Sequence, residues 1–431
     1  MLSSLRYRLK RLFSHIWVPI SAYGLLGILA AMMAVALRDF IPSSWAFKIG
    51  ATAIDSLLNI LASSMLAVTT FSLSIMLSAF AAASSTATPR AFLLLKTDKT
   101  AQQVLASFIG AFIFSLVGII SLKIGIYGEG GRLILFVATI LVLTLIVFNL
   151  VRWIGHLTDF GRLGDTLARV ESAAADAMSR RLENPWLGAR PMRHSPPDSA
   201  IPVLCEAVGH VQFMDLDGLH DLAESNDCTI YIHALPGHFV HRGSVLAHVV
   251  GGPVGPEYDA MLTKLRAEFE LGMDRSFEQD PRFGMITLSE VASRALSPAV
   301  NDPGTAIDVI RRMTRVLSLW KDVVEADVEY PRLWISGLKA EDMLRDAFAA
   351  IARDGAALYE VQIALQRMLL ALVDLEPRIF GPGALVQSER AMTFAGDGMV
   401  IASDVARLQK VADQIAASAN RRRAGSAAGR T

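Results

Sequence analysis

The stretch DSLLNILASSMLAVTTFSLSIMLSAFAAASSTATPR, residues 55–90, decides what kind of chain this is. No charged side chain interrupts it between Asp55 and Arg90. As one helix it would be on the order of 50 Å long, more than the roughly 30 Å of hydrocarbon in a bilayer, so its last turns are expected to project beyond the membrane. Its hydroxyls are patterned. Ser56, Ser63 and Thr70 recur every seven residues, and Ser74, Ser78 and Ser85 continue the series, which keeps them near one stripe of the helix. Such a stripe has two uses. Small residues let helices approach closely, and hydroxyls can bond across helices or back to their own turn. Alternatively the stripe is the polar lining of a water-filled path in an oligomer, since four spans alone enclose little space.

Outward from this segment, 52% of the 431 residues are hydrophobic and only 19% are charged, with most of the excess before about residue 155. Three further apolar runs, 18–37, 104–122 and 133–151, join it to make four expected membrane spans within a transmembrane domain of 17–155. The first is too long and too poorly terminated for a cleaved signal peptide. Lys plus Arg equals Asp plus Glu at 41 each, which gives no pointer to nucleic acid. Arg6, Arg8, Lys10 and Arg11 precede the first span, and Arg90, Lys96 and Lys99 separate the second from the third. The other two loops are poorer in cations, so both termini are expected in the cytoplasm, with residues 1–16 as a basic cytoplasmic segment. No span carries an ionisable group at its middle, which argues against a proton- or ion-coupled transporter.

The second half reads as an α+β region. A helix and a proline-rich linker fill 156–202, followed by a small β-rich module over 203–255, a helical domain over 256–420 with a bundle element, and a tail over 421–431 without fixed structure. The module has the turn-and-strand rhythm of a barrel-sandwich (biotinyl/lipoyl-like) domain in LPGHFVHRGSVLAHV, but no lysine lies between Lys123 and Lys264 to carry a swinging-arm cofactor. Seven of the nine histidines fall between His194 and His248, and with Cys205 and Cys228 they invite a zinc site. Their spacing offers no local ligand pair, so no metal and no cofactor is expected. Both cysteines fall in the half placed inside, where thiols stay reduced.

A second stretch, SRALSPAVNDPGTAIDVI at 293–310, reads as two helices joined by a tightly specified loop. Ser297 and Pro298 end the first, Asn301 suits a turn, Asp302 is a good N-cap and Pro303 a favoured first helical residue. With Arg294 these six residues form a candidate structural or interaction loop. Its residue types are geometric, and none is a nucleophile with an adjacent base. An anion held by the free N–H groups of the second helix would compete with the Asp302 carboxylate, so a polar partner surface fits better than a phosphate pocket.

RSFEQDPRFGMITLSEVASRALSPAVNDPGTAIDVI at 275–310, FSLSIMLSAFAAASSTATPR at 71–90 and LPGHFVHRG at 235–243 together resemble the bacterial predicted membrane proteins of the family DUF2254. The resemblance covers the chain from the first span to Trp320 and is carried by Gln279-Asp280, by Arg294 to Pro298 and by Asn301-Asp302-Pro303. Two positions depart from the pattern: Ser276 replaces a usual Thr, and Gly304 replaces a bulky residue, which loosens the helix start. The resemblance implies an architecture and a place in the bacterial inner membrane, not a chemistry. No phosphate-cradling glycine loop, nucleophile elbow or paired-histidine helix occurs, so an enzyme is not expected. The expectation is a homo-oligomeric channel or passive conduit for an ion or small solute, with the lipid bilayer as its surroundings and a cytoplasmic regulatory domain. The alternative is a non-conducting scaffold or sensor.

Overall fold

The computed structural model describes residues 17–36, 51–96, 98–158, 160–321 and 327–427. The basic segment at 1–16 and the cations Arg38 and Lys48 lie outside them. The described residues divide between Thr166 and Leu167 into two compact units.

The first unit is α-helical: α1 (Trp17–Ala36), α2 (Ala51–Thr86), α3 (Pro89–Lys96), α4 (Lys99–Lys123) and α5 (Gly128–Leu157). All but the short α3 are long and apolar enough to cross a membrane. Of these four, α4 is the most buried, with α1, α2 and α5 packed on it. Lipid tails are as apolar as leucine, so packing between spans relies on close approach and on polar pairs rather than on the hydrophobic effect. Both devices are present. The buried face of α1 is Gly24, Gly27, Ala31 and Ala34. A Cβ on Gly27 would come 2.7 Å from the Gly110 carbonyl, and one on Gly110 would come 2.8 Å from the Cβ of Tyr23, so the two backbones meet where only glycine fits. Trp153 Nε1 donates to Ser72 Oγ at 2.9 Å, tying α5 to α2, and Asn149 Nδ2 donates to Ser107 Oγ at 3.0 Å, tying α5 to α4. Asp98 caps α4 by accepting from the Ala101 N–H at 2.6 Å.

The second unit contains α6 (Leu163–Glu183) from Leu167 on, its first turn belonging to the first unit, then strands and helices in mixed order. These are β1 (Ala189–Pro191), β2 (Ile201–Leu204), β3 (Gly209–Met214), α7 (Leu216–Ser225), β4 (Cys228–Ile232), β5 (Phe239–Val240), β6 (Val245–Gly251), α8 (Pro256–Ala267) and β7 (Phe269–Gly272). They are followed by α9 (Pro281–Ala295), α10 (Pro303–Leu317), β8 (Tyr330–Ile335), α11 (Ala340–Asp354), α12 (Tyr359–Leu375), α13 (Pro377–Gly398) and α14 (Ala402–Ala427). The strands make a five-stranded sheet, β1-β8-β4-β6-β2, and a three-stranded sheet, β5-β3-β7. Strand β8 is parallel to both of its neighbours, and the remaining pairs are antiparallel. Alternate residues Ile230, Ile232, Leu333 and Ile335 are buried in one apolar core with Val203, Val249 and Leu219. On the opposite pleat Tyr231 stacks on Trp334 at 5.7 Å, and these two are register partners of β4 and β8.

The strands reach beyond the expected module at 203–255. Strand β1 comes from the stretch read as linker, and β7 and β8 come from the stretch read as helical. Each is short, and β1 and β8 owe their conformation to pairing with distant residues rather than to a local alternation. The tail also differs, because α14 continues through 421–427, in keeping with the helix propensity of its Ala and Arg residues. Residues 428–431 lie outside the described residues. In the helical region α11 packs on α9 and α13, and α12 packs on α10 and α13. A buried reciprocal pair locks the register of α12 on α13: Ser388 Oγ donates to Gln366 Oε1 at 2.7 Å, and Gln366 Nε2 donates to the Ser388 carbonyl at 3.2 Å.

Candidate functional site

All six residues of the hydroxyl series, Ser56, Ser63, Thr70, Ser74, Ser78 and Ser85, are exposed on α2. Asn59, Ala67 and Ala81 fall on the same stripe and are exposed too. The opposite face, with Ile54, Leu58, Leu61, Met65 and Met76, is the one buried in the unit. Each of the six hydroxyls donates to a carbonyl of its own helix, as Ser56 does to Thr52 at 2.8 Å, Ser63 to Asn59 at 2.9 Å and Ser74 to Thr70 at 3.0 Å. Thr70 donates to Ala67 at 2.9 Å, Ser78 to Ser74 at 3.0 Å and Ser85 to Ala82 at 2.8 Å. With their protons held inward, the outward side of each oxygen carries only lone pairs. The hydroxyl that does reach another span is Ser72, which is buried and lies off the stripe.

The loop between α9 and α10 is built by capping. Asp302 accepts from the Thr305 N–H at 3.0 Å and from its hydroxyl at 2.6 Å, and Pro303 opens α10. Asn301 adopts φ +49°, which asparagine tolerates better than most residues, and the Asp302 N–H reaches back to the Ala295 carbonyl at 2.8 Å. Ser297 Oγ donates to the Arg294 carbonyl at 2.7 Å, while Arg294 and Pro298 are exposed. A Cβ at Gly304 would meet only Asp302 Oδ1, at 3.3 Å.

A further polar cluster lies where the 235–243 and 275–282 stretches meet. Asp280, 2% exposed, caps α9 by accepting from the Phe283 N–H at 3.3 Å. It also accepts from Arg275, Nε at 2.7 Å and Nη2 at 2.6 Å. Gly237, at φ +91°, lies against this pair so closely that a Cβ there would overlap Asp280 Oδ2. Arg181 of α6, 5% exposed, is drawn to the same carboxylate; its Nη2 donates to the Ser336 carbonyl at 3.2 Å, while its Nε has no hydrogen-bond partner. Burial lowers the Arg181 pKa to about 10 against the opposing pull of Asp280. Burial also pushes the Asp280 carboxyl up, against Arg275, the Phe283 N–H and Arg282. Beside this cluster, Arg282 forks onto Asp346 with bonds of 2.6 and 3.1 Å. A cavity of about 380 Å³ opens there, its polar lining supplied by His233, His238, Ser244, Arg275 and Arg282.

The family model of the predicted membrane proteins DUF2254 matches residues 14–371. The chain belongs to that family. Uncharacterized proteins of Mycobacterium tuberculosis and Mycobacterium bovis are each 30% identical to it over 245 residues, which is 52% of this chain and 45% of theirs. The chain thus spans about half the length of the curated relatives it matches. No solved structure matches it.

In this DUF2254 chain two of the three segments that carry the resemblance meet: the LPGHFVHRG turn holds Gly237 against Asp280 of the Gln279-Asp280 motif. Gln279 anchors the same region to β3, accepting from the Met214 N–H at 3.0 Å. The sequence displays both motifs, but not that they touch, and nothing local marks Arg181 as their partner. Among the described residues of this family member, no group of three or more His, Cys, Asp or Glu is placed to hold a metal ion. His233 and His248 instead meet edge to face at 4.7 Å. Cys205 and Cys228 are both free and buried.

The Asp302 cap in the DUF2254 loop makes a separate prediction. Asp302→Ala should cost about 1 kcal/mol, and Asp302→Asn or Asp302→Ser, which also cap, should restore most of it in thermal melts. The Thr305 hydroxyl and N–H hold the Asp302 carboxyl below the ordinary carboxylate value. Its contribution is therefore full above the unfolded-state pKa and is lost as pH falls through the lower folded-state one. The Asn variant should lack that acid-dependent loss.

Proposed function

We propose that this chain is one subunit of a homo-oligomer in the inner membrane, in which the α2 hydroxyl stripe lines a passive path for an ion or small solute. The strand-and-helix unit is its cytoplasmic regulatory part, and both termini lie inside. The observation that supports this is the contrast between exposed faces. On α1 and α5 most exposed positions are large and apolar, such as Leu25, Leu29, Met33, Leu141, Phe148 and Val151, whereas α2 presents a stripe of hydroxyls, an amide and alanine flanked by the exposed Ile60, Phe71 and Leu77. Lipid has no use for that difference, but water does. Oxygens that have already donated their proton inward present lone pairs to the path, so cations or neutral solutes are favoured over anions. The absence of a charged side chain along the stripe fits passive flow rather than coupling.

The test is flux through purified full-length protein in liposomes, for potassium, chloride and glycerol, with Ser63→Leu and Ser74→Leu as blocking variants. Cross-linking through Ser74→Cys reports assembly in the same samples. Cation or glycerol flux that both leucine variants abolish, with Ser74→Cys pairs forming between copies, is the expected result. The same small residues also permit tight helix packing between copies, which would give a non-conducting scaffold. Cross-linking without any flux would replace the conduit reading by that one.

A further inference from the structure

The cavity beside Gly237 is independent of the conduit reading, because every group in it belongs to the strand-and-helix unit. Two guanidinium groups line it, Arg275 and Arg282, and a third, the buried Arg181, lies outside the lining within the electrostatic reach of Asp280. Two carboxylates answer them directly, Asp280 for Arg275 and Asp346 for Arg282. A third, Asp342, stands 3.8 Å from Arg282 but is already paired with Arg345 at 2.6 Å. Arg181 feels Asp280 through space without pairing to it and keeps a buried N–H without a partner. The cluster therefore holds more cation than its carboxylates neutralise. Neither Asp280 nor Asp346 is among the lining groups of the cavity, whereas Arg275 and Arg282 are.

The remaining lining is suited to an oxyanion as well. His238 Nδ1 accepts from the Leu235 N–H at 3.3 Å, so in the neutral ring Nε2 carries the proton and is a donor. His233 Nε2 is buried with no hydrogen-bond partner. Ser244 Oγ accepts from the His241 N–H at 2.9 Å, which leaves its own hydroxyl proton to point elsewhere. About 380 Å³ is at the small end of ligand pockets, room for a phosphate with a short substituent but not for a large cofactor.

We propose that this cavity binds a small doubly charged oxyanion, of the kind a phosphate monoester carries, on Arg275, Arg282, His233, His238 and Ser244. The Nε/Nη2 edges of both guanidinium groups are held by Asp280 and Asp346, so the anion is met by their charge and by their remaining N–H groups. Burial, together with His248 for His233 and with Arg282 and Arg275 for His238, holds both lining histidines below the ordinary imidazole value, against the upward pull of the His233 backbone and of Asp342 on His238. They are therefore neutral at pH 7, and a bound dianion favours their protonation. Affinity for sulfate, which keeps its charge throughout, should rise as pH falls from about 7 to about 5.

The experiment is calorimetric titration of the full chain in detergent with inorganic phosphate and with sulfate, against chloride as control. Saturable binding of both dianions is expected, weakened at least about tenfold by Ser244→Asp and clearly less by Ser244→Asn, whose amide N–H replaces the lost hydroxyl donor. Both replacements keep an acceptor for the His241 N–H, and only the first adds a negative charge. Val245→Glu, on the same wall, supplies a second charge-inserting variant should Ser244→Asp lower the melting temperature. Competition by a short-chain phosphatidic acid would assign the phosphate to a lipid headgroup, and its failure to compete would assign it to a soluble phosphorylated ligand. No saturable phosphate or sulfate binding, or binding that ignores both charge-inserting variants, would overturn the proposal.

Discussion

Asp280→Ala is expected to destabilise the strand-and-helix unit by about 3–5 kcal/mol, enough to unfold a marginal domain. The argument is not that its ion pairs are strong, because burial penalises this carboxylate and works against Arg275 and Arg282. It is that the partners stay behind. Without Asp280 the guanidinium of Arg181, 5% exposed, loses the counter-charge that draws it, and α9 loses its cap at Phe283. Asp280→Asn keeps the capping oxygen and should lie between parent and alanine variant. Urea unfolding followed through Trp186, Trp320 and Trp334, all in this unit, would measure the order. An alanine variant as stable as the parent would mean that Arg181 finds solvent without Asp280.

Gly237→Ala should cost about 2–5 kcal/mol by two routes that add. Its φ of +91° lies where L side chains are strained, and the new Cβ would overlap Asp280 Oδ2 and come 2.7 Å from Arg275 Nη2. The second route needs the carboxylate. In the Gly237→Ala, Asp280→Ala double variant the overlap is gone, so the two costs should sum to less than their separate values, by on the order of 1 kcal/mol. Strict additivity in the same urea titrations would show that the turn is strained by its backbone alone.

The spans and caps were legible because each is written locally. A run of apolar residues of bilayer length announces a span, and Asp302-Pro303 announces a helix start. The hydroxyl stripe on α2 was legible as a stripe, but its outward orientation was not, since that depends on which face α4 covers. Asp280 and Gly237 were visible as parts of motifs. Their contact, and the electrostatic reach of Asp280 to the buried Arg181, belong to tertiary packing that leaves no periodic trace. The same holds for Glu171, which accepts from Arg312 at 2.8 Å and from Arg315 at 2.7 and 3.0 Å and so fastens α6 to α10 across more than a hundred residues of sequence. The strand boundaries failed for a related reason: three-residue β1 is a strand only because β8 lies beside it.

That strand has a bearing on how the chain is made. Strand β8 sits between β1 and β4 in the larger sheet, yet it is synthesised after every other strand. At ~5–20 residues per second, the ribosome needs several seconds to extend from Gly251 to Ile335, and throughout that time β1 has no place to pair and β4 has one bare edge. Parallel, non-local strand insertion is slow even once the strand is available. A nascent chain halted in this interval would display a hydrophobic, hydrogen-bonding edge, so a pause in translation between α8 and α10 prolongs the time for which the β4 edge is open to aggregation.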